Sequence, residues 1–430
     1  MEYRFNMSNN NFELQLNKKA RDHKVINSKD HHIFIVWSKA RTKETEIIDD
    51  LQKNLRIKYI SDIQWTKKNM GDNFHRLYNF LPSGRPSQKS KEVGENSFLI
   101  IVVEDIKPQY GYRKDASGRL KIVNTKVVDL KNKYRSWFSD KYLIHSSDTP
   151  EEFQRNIGLF YSFDEISNIL NSNFDMSKFN NSNRDLLGAD EWASVNQLFS
   201  VLNICTEYLV LKSPKKIYPS AAKISGDIDI LCSSKREFIC VTNAKKINGY
   251  ENFYKIKVSG EELLLDIREV GDGYFDINWQ KDALSRREIY ENRFFTLRPD
   301  DSFFFLLYHS SVHKKFDMGK YGLKLDKMSE ILGSSFKHIN FKNPNDRANI
   351  LKGFFLANDY SFTMPDDQKV LINVDFACKL SQTNKILMLS YLFLHKVNVM
   401  PRNLINSSKR FLKKSPLMVS LVSFVRSIKF

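Results

Sequence analysis

The chain has 430 residues, 41% hydrophobic and 27% charged, which excludes a disordered polymer and leaves room for two or three domains. Its formal net charge of +17 makes nucleic acid, anionic membrane and phosphorylated substrates the partner classes to weigh. Four cysteines (Cys205, Cys232, Cys240, Cys378) lack CxxC spacing, which argues against a zinc site and a disulfide scaffold. The first residues show no apolar signal core, and no run approaches the roughly 18 apolar residues of a spanning helix. The expectation is a cytoplasmic protein able to sit peripherally on the inner membrane face.

In chain order, residues 1–30 are polar and read as a flexible lead-in. HIFIVW at His32–Trp37 reads as a buried strand. Lys43–Leu55 carries Ile47, Ile48, Leu51 and Leu55 at helical spacing, and Arg56–Ile63 follows as a second strand. SFLIIVVED, Ser97–Asp105, is a continuous apolar run suited to the central strand of a covered sheet. In IHSSDTPEEF, Thr149 is the expected N-cap, Pro150 the first helical residue and Glu152 the capping-box partner. Capping leaves His145 unexplained, so it is a candidate phosphate contact at that helix start. The Asn- and Ser-rich stretch Asn171–Asp185 reads as linker. A helix is expected at Asp190–Thr206, then YLVL as a strand, then four strand-like runs: GDIDILC, EFICVTN, NFYKIKV and ELLLDIREV. Beyond about Ser285 the chain reads mostly helical.

The sharpest chemistry lies in SGDIDILC, Ser225–Cys232. Residues two apart on a strand share a face, so Asp227 and Asp229 point one way and Ile228 and Ile230 the other. Two carboxylates on one face resist joint ionisation unless a cation or donor compensates. A divalent ion shared with substrate phosphates is one solution, and Gly226 leaves room for a phosphate near the backbone. The plain alternative is an edge strand with solvated Asp side chains; the apolar neighbours Ile228, Ile230, Leu231 and Cys232 count against it. A third carboxylate, Asp266, is centred in ELLLDIREV, where it needs a partner. It either joins a metal set or pairs with Arg268 on its own face.

Gly226-Asp227-Ile228-Asp229, with the later strand carrying Asp266, resembles the signature of the DNA polymerase beta-like nucleotidyltransferase superfamily over about residues 195–275. The resemblance implies that Asp227, Asp229 and Asp266 hold two Mg²⁺ ions (or Mn²⁺). DIREVGDGYFDINW and LLYHSSVHK are similar to runs in uncharacterised bacterial members found with surface-polysaccharide genes. Fukutin/LicD-like phosphotransferases are more distant relatives of this kind. One departure stands out. Where the superfamily has a Gly-Ser or Gly-Gly turn that binds triphosphate, this chain has Lys212-Ser213-Pro214. Lys212 offers a point charge in place of that turn, and a nucleotide-activated glycan precursor is as compatible a donor as a nucleoside triphosphate.

Other motifs carry two readings each. In GDGYFDINW, Gly271 and Gly273 permit a tight loop near the metal face, where Tyr274 and Trp279 either stack on a base or sugar or pack on the core. In LLYHSSVHKK, His309 and His313 are i, i+4 neighbours beside Lys314. They read as phosphate or acceptor contacts, or one histidine is structural. RLYNF and KPQYGYR interleave basic and aromatic residues as a sugar or nucleotide surface would. From Phe376 to the end there are ten Lys or Arg and no Asp or Glu. ILMLSYLFL reads as a core helix. PLMVSLVSFV, bracketed by Lys413, Lys414, Arg426 and Lys429, fits a helix lying in a membrane interface or docked on the protein itself.

Together these readings give a mixed α/β (α+β) expectation. An N-terminal α/β domain (31–168) and linker (169–189) precede a nucleotidyltransferase-like core (190–300), a helical domain (301–407) and a basic amphipathic tail (408–430). The expected function is a metal-dependent transferase that takes a nucleotide or nucleotide-activated donor. It moves a phosphate-linked group onto a cell-surface glycan or lipid-linked precursor, at an anionic membrane. The alternatives are a nucleotidyltransferase acting on RNA or protein, and a non-enzymatic nucleic-acid-binding protein; the latter ranks lower because no RNA-binding or helix-turn-helix pattern is visible.

Overall fold

The computed structural model describes residues 31–80, 88–114, 118, 120–140, 142–172, 180–211, 227–333 and 339–399. Gly226, Lys212, Ser213, the lead-in 1–30 and the tail 408–430, with its PLMVSLVSFV run, lie outside the described residues.

The fold is mixed α/β, with a first sheet near the N-terminus. Strand β1 (His31–Val36) leads through a 3-10 turn to α1 (Glu44–Asn54), whose Ile47, Ile48 and Leu51 are buried as the helical spacing demands. Next come β2 (Arg56–Gln64), α2 (Met70–Leu77), α3 (Gln88–Val93) and β3 (Phe98–Glu104). The apolar run of β3 is buried except at its last residue. It lies between β1 and β2, antiparallel to both. A hairpin of β4 (Tyr110–Lys114) and β5 (Leu120–Asn124) then enters α4 (Thr125–Arg135). Asn124 caps α4 by accepting from the Val127 amide, and its own amide group donates to Asp105. Strand β6 (Ile144–Ser146) pairs with β1, and α5 (Pro150–Phe160) starts at the Thr149 cap. Glu152 accepts from the Asp148 amide, one residue ahead of the expected capping-box partner. Helix α6 (Phe163–Asn171) carries a full capping box between Ser162 and Glu165. Part of the expected linker is strand: β7 (Asn180–Asn183) pairs parallel with β2, giving the order β6-β1-β3-β2-β7.

The second sheet follows α7 (Val195–Cys205), capped by Ser194. It holds β8 (Tyr208–Val210), β9 (Asp227–Cys232), β10 (Lys245–Lys246), β11 (Phe253–Val258), β12 (Glu261–Glu269), β13 (Glu288–Tyr290) and β14 (Phe294–Thr296). Their order is β10-β11-β12-β9-β8-β14-β13, with β9 parallel to β12 and β8 parallel to β14. EFICVTN is not a strand, as its apolar run suggested, but part of helix α8 (Lys235–Thr242). Ser234 caps it by accepting from the Glu237 amide, and Asn243 closes it in the left-handed conformation. Helix α9 (Ile277–Ser285) packs near β9, and the described elements after β14 include the α-helices α10 (Pro299–Val312), α11 (Leu323–Leu332), α12 (Pro344–Asn358), α13 (Val374–Ser381) and α14 (Lys385–Val399), with non-helical chain between α12 and α13. ILMLSYLFL lies in α14; Met388 is buried there, while Ile386, Leu389 and Phe393 are exposed. Among the described residues, no helix is long and apolar enough to cross a membrane.

The buried apolar residues of both sheets form one continuous cluster. Arg76 of α2 ties the two halves. Its guanidinium, fully buried, donates to the carbonyls of Cys240 (3.0 Å) and Val241 (2.9 Å) at the end of α8, and to that of Leu187. Those carbonyls include unsatisfied acceptors of a helix C-terminus, where a cation is favoured. Burial nonetheless pushes the guanidinium down to about 10.

Candidate metal centre

The parallel register of β9 and β12 sets Asp229 directly opposite Asp266, with Asp227 opposite Leu264. Alternation turns Ile228 and Ile230 into the core and leaves Asp227 and Asp229 half-buried on the other face. One oxygen of each of Asp227, Asp229 and Asp266 lies within 4.8 Å of the others. This is an all-oxygen donor set, the type that suits hard divalent cations. The three residues can therefore hold a metal ion by donor chemistry and spacing.

The pairing of Asp266 with Arg268 is also present. Arg268 Nε lies 3.3 Å from Asp266 Oδ1, and Nη2 lies 3.5 Å from Oδ2. Arg268 is not reserved for Asp266, however. Its Nη1 lies 3.6 Å from Asp367 and 4.0 Å from Asp272. Burial opposes the Arg268 charge, but Asp266, Tyr274, Asp272 and Asp367 outweigh it and raise its pKa. Asp272 is pushed upward by burial, against the hydrogen bonds it accepts from the Tyr274 amide and Gln280.

An aromatic wall backs this arginine. The Arg268 guanidinium stacks on the Tyr274 ring at 4.2 Å. Tyr274 Oη shares a 2.8 Å hydrogen bond with His309 Nδ1, and the His313 ring packs on Tyr274 at 4.0 Å between centroids. His313 is only 2% exposed, and among the described residues neither of its ring nitrogens has a hydrogen-bond partner. Burial, then the charges of His309, Arg268 and Lys314, hold its pKa well below the ordinary value. Gly273, at φ +69°, lets the loop pass the backbone of Met364; a Cβ there would lie 2.1 Å from the Met364 carbonyl oxygen.

The structure thus brings Asp227, Asp229, Asp266, Arg268, Tyr274, His309 and His313 into one neighbourhood. Of the two readings of His309 and His313, burial favours the one with a structural histidine: His313 turns inward at the end of α10, and Lys314 is exposed beside it. Trp279 is fully buried in an aromatic cluster with Phe305 and Tyr360, so its packing reading holds. His145 lies apart, on β6. Its Nε2 accepts from Asn156 at 2.9 Å and lies 3.9 Å from Glu152, and its ring meets Tyr78 edge-on. The start of α5 is not an open phosphate site: the carboxylate of Glu152 accepts from the Asp148 amide there, and the Asp148 carboxylate binds Lys131 and Ser146. The sequence reading missed Asp272 and Asp367. Asp272 sat unremarked inside GDGYFDINW, and Asp367 has no local signal.

Comparison of the chain with protein-family models, with curated proteins and with solved structures finds no match.

Proposed function

We propose that the protein is a metal-dependent transferase of the nucleotidyltransferase type, moving a phosphate-linked group from a nucleotide or nucleotide-activated donor onto a glycan or lipid-linked acceptor. The observation that carries this reading is the convergence of Asp227, Asp229 and Asp266 from two parallel strands to within 4.8 Å. Asp227, Asp229 and Asp266 would hold Mg²⁺ or Mn²⁺, which when bound neutralises charge at the phosphate undergoing in-line displacement. The chain's own residues prepare the site. Arg268 offsets part of the mutual repulsion of the carboxylates, and so favours their joint ionisation. Tyr274, fixed by His309, holds the guanidinium from behind. Asp272 and Asp367 share it, so Arg268 need not leave the site if its contact with Asp266 is exchanged for a cation.

The reading is tested by calorimetric titration of the full chain with Mg²⁺ and Mn²⁺. A thermal-shift panel of nucleotide-sugars and CDP-polyols, with and without metal, follows. The expected result is saturable binding of metal, lost in Asp229→Asn, and a metal-dependent shift with one donor class. Equal metal binding by wild type and Asp229→Asn would overturn it.

A further inference from the structure

The β4–β5 hairpin wears its apolar residues on the outside. The register pairs Tyr112 with Ile122, Lys114 with Leu120 and Tyr110 with Asn124, so Tyr110, Tyr112, Leu120 and Ile122 share one face of the ribbon. Tyr112, Leu120 and Ile122 are 67%, 64% and 56% exposed, and Ile106, just before the hairpin, is also exposed. The opposite face, with Gly111, Arg113, Lys121 and Val123, is packed only at the end next to α4, and Arg113 and Lys121 are exposed. Val123 is buried, a Cβ at Gly111 would meet the Thr125 methyl of α4 at 3.0 Å, and Arg113 lies 3.9 Å from Asp129 of α4. A two-stranded ribbon in water ordinarily turns its apolar face to the protein and its polar face to solvent. Here the apolar face is left open, and a contiguous exposed apolar patch marks an interaction surface.

We infer that this ribbon is a membrane-docking element whose occupant is the interface of an anionic lipid bilayer. The first argument is charge. By register Lys114 shares the face of Tyr112, Leu120 and Ile122, Lys107 is exposed next to Ile106, and among the described residues from Ile106 to Asn124 there is no acid. Basic residues around an apolar patch complement an anionic leaflet. The second is residue type. Tyrosine has an apolar ring and a polar tip and is favoured at the headgroup level, while lysine can bury its stem and keep its ammonium in water. The third is size. A specific protein partner needs about 800 Å² on each side. Four side chains on two five-residue strands fall well short of that, whereas a fluid leaflet asks for no fixed area or shape. The inference is independent of the carboxylate site.

The test uses the full chain and its triple variant Tyr112→Ser, Leu120→Ser, Ile122→Ser, compared by co-sedimentation with phosphatidylcholine vesicles with and without phosphatidylglycerol. The wild type is expected to prefer the anionic vesicles, and the triple variant to lose binding on the order of tenfold with an unchanged thermal midpoint. Lys107→Gln with Lys114→Gln should reduce only the preference for anionic lipid. A Tyr112→Trp variant gives a second reading: the difference between its emission and that of the wild type should shift blue on vesicles and be quenched by brominated lipid. Failure of the wild type to bind vesicles, unchanged binding by the triple variant, or an unquenched difference signal from Tyr112→Trp would each overturn the inference. So would self-association that the triple variant abolishes while vesicle binding stays intact.

Discussion

Asp266 and Asp229 face each other across adjacent parallel strands, and Arg268, two residues beyond Asp266, reaches back to within 3.3 Å of it. Three carboxylates held together are costly without a cation, since each disfavours ionisation of the others. Replacing Asp229 by Asn removes one charge and keeps the shape. Asp229→Asn is expected to raise the metal-free melting temperature while abolishing metal binding and lowering transfer about 100-fold or more, the loss of several kcal/mol of metal assistance. Melting curves with chelator, set beside metal titrations, check both halves.

Arg268 separates a metal site from a simple ion pair. If Asp266 only neutralised Arg268, Asp266→Leu with Arg268→Leu would keep full function. The structure adds a complication, because Arg268 also neutralises Asp272 and Asp367. The double variant is therefore expected to be destabilised by about 3 kcal/mol, the penalty for stranding buried charge, and to fail to bind metal. Adding Asp272→Asn and Asp367→Asn should recover stability without recovering metal binding. Metal binding by the double variant would remove Asp266 from the site.

What was legible in the sequence follows from how local each signal is. The period-2 alternation around Asp227 and Asp229 is written within a single strand, so their shared face was readable. That Asp266 joins them depends on the parallel register of β12 with β9, which no single strand shows, and was only implied by the family resemblance. EFICVTN misled because a short apolar run has no period that separates helix from strand. The deciding signal was the N-cap Ser234, just upstream, which accepts from the Glu237 amide at the head of the run. The Asn- and Ser-rich segment read as linker because β7 takes its strand partners from β2, more than a hundred residues away. Asp367 reaches Arg268 from a similar distance along the chain, and no local pattern announces it. His313, followed by two lysines, looks like a surface residue in the sequence; only the packing of α10 against Tyr274 shows it facing inward.

Gly273 is constrained twice over, by φ +69° and by the Met364 carbonyl 2.1 Å from where a Cβ would stand. Neither constraint can be relieved by a side-chain rotation. Gly273→Ala is expected to cost at least about 2 kcal/mol, whereas Gly249→Ala, with open space at its Cβ position, should show only the smaller cost of positive φ. Urea denaturation of the two variants makes the comparison.

Arg76 joins the sheets by donating to three backbone carbonyls. Arg76→Met keeps much of the volume but leaves those acceptors buried and unsatisfied, so a loss on the order of 3 kcal/mol is expected. Arg76→Lys should not rescue it, because an ammonium cannot present the planar fork that meets Cys240 and Val241 together. Chemical denaturation of both variants checks the size and the lack of rescue.

His313 should make the fold acid-labile. Its folded pKa is depressed, by burial first and then by the neighbouring charges of His309, Arg268 and Lys314. The neutral ring is compatible with the fold and the protonated ring is not, while the unfolded chain takes up the proton near the ordinary histidine value of about 6.5. The sign follows: the stability His313 contributes is fully present above the unfolded pKa and is lost as pH falls towards the folded one. The loss is about 1.4 kcal/mol for each pH unit below the unfolded pKa, until the folded pKa is reached. His32, also buried with a lowered pKa, adds a loss of the same sign. With no hydrogen bond at either ring nitrogen among the described residues, His313→Phe gives up none there and fits a pocket already walled by Tyr274, Phe275 and Tyr308. The variant is expected to match the wild type near neutral pH, exceed it below pH ~6, and show a shallower dependence of stability on pH by one proton. Scanning calorimetry across that range measures the slope directly, and an identical slope in the two proteins would show that His313 titrates normally in the fold.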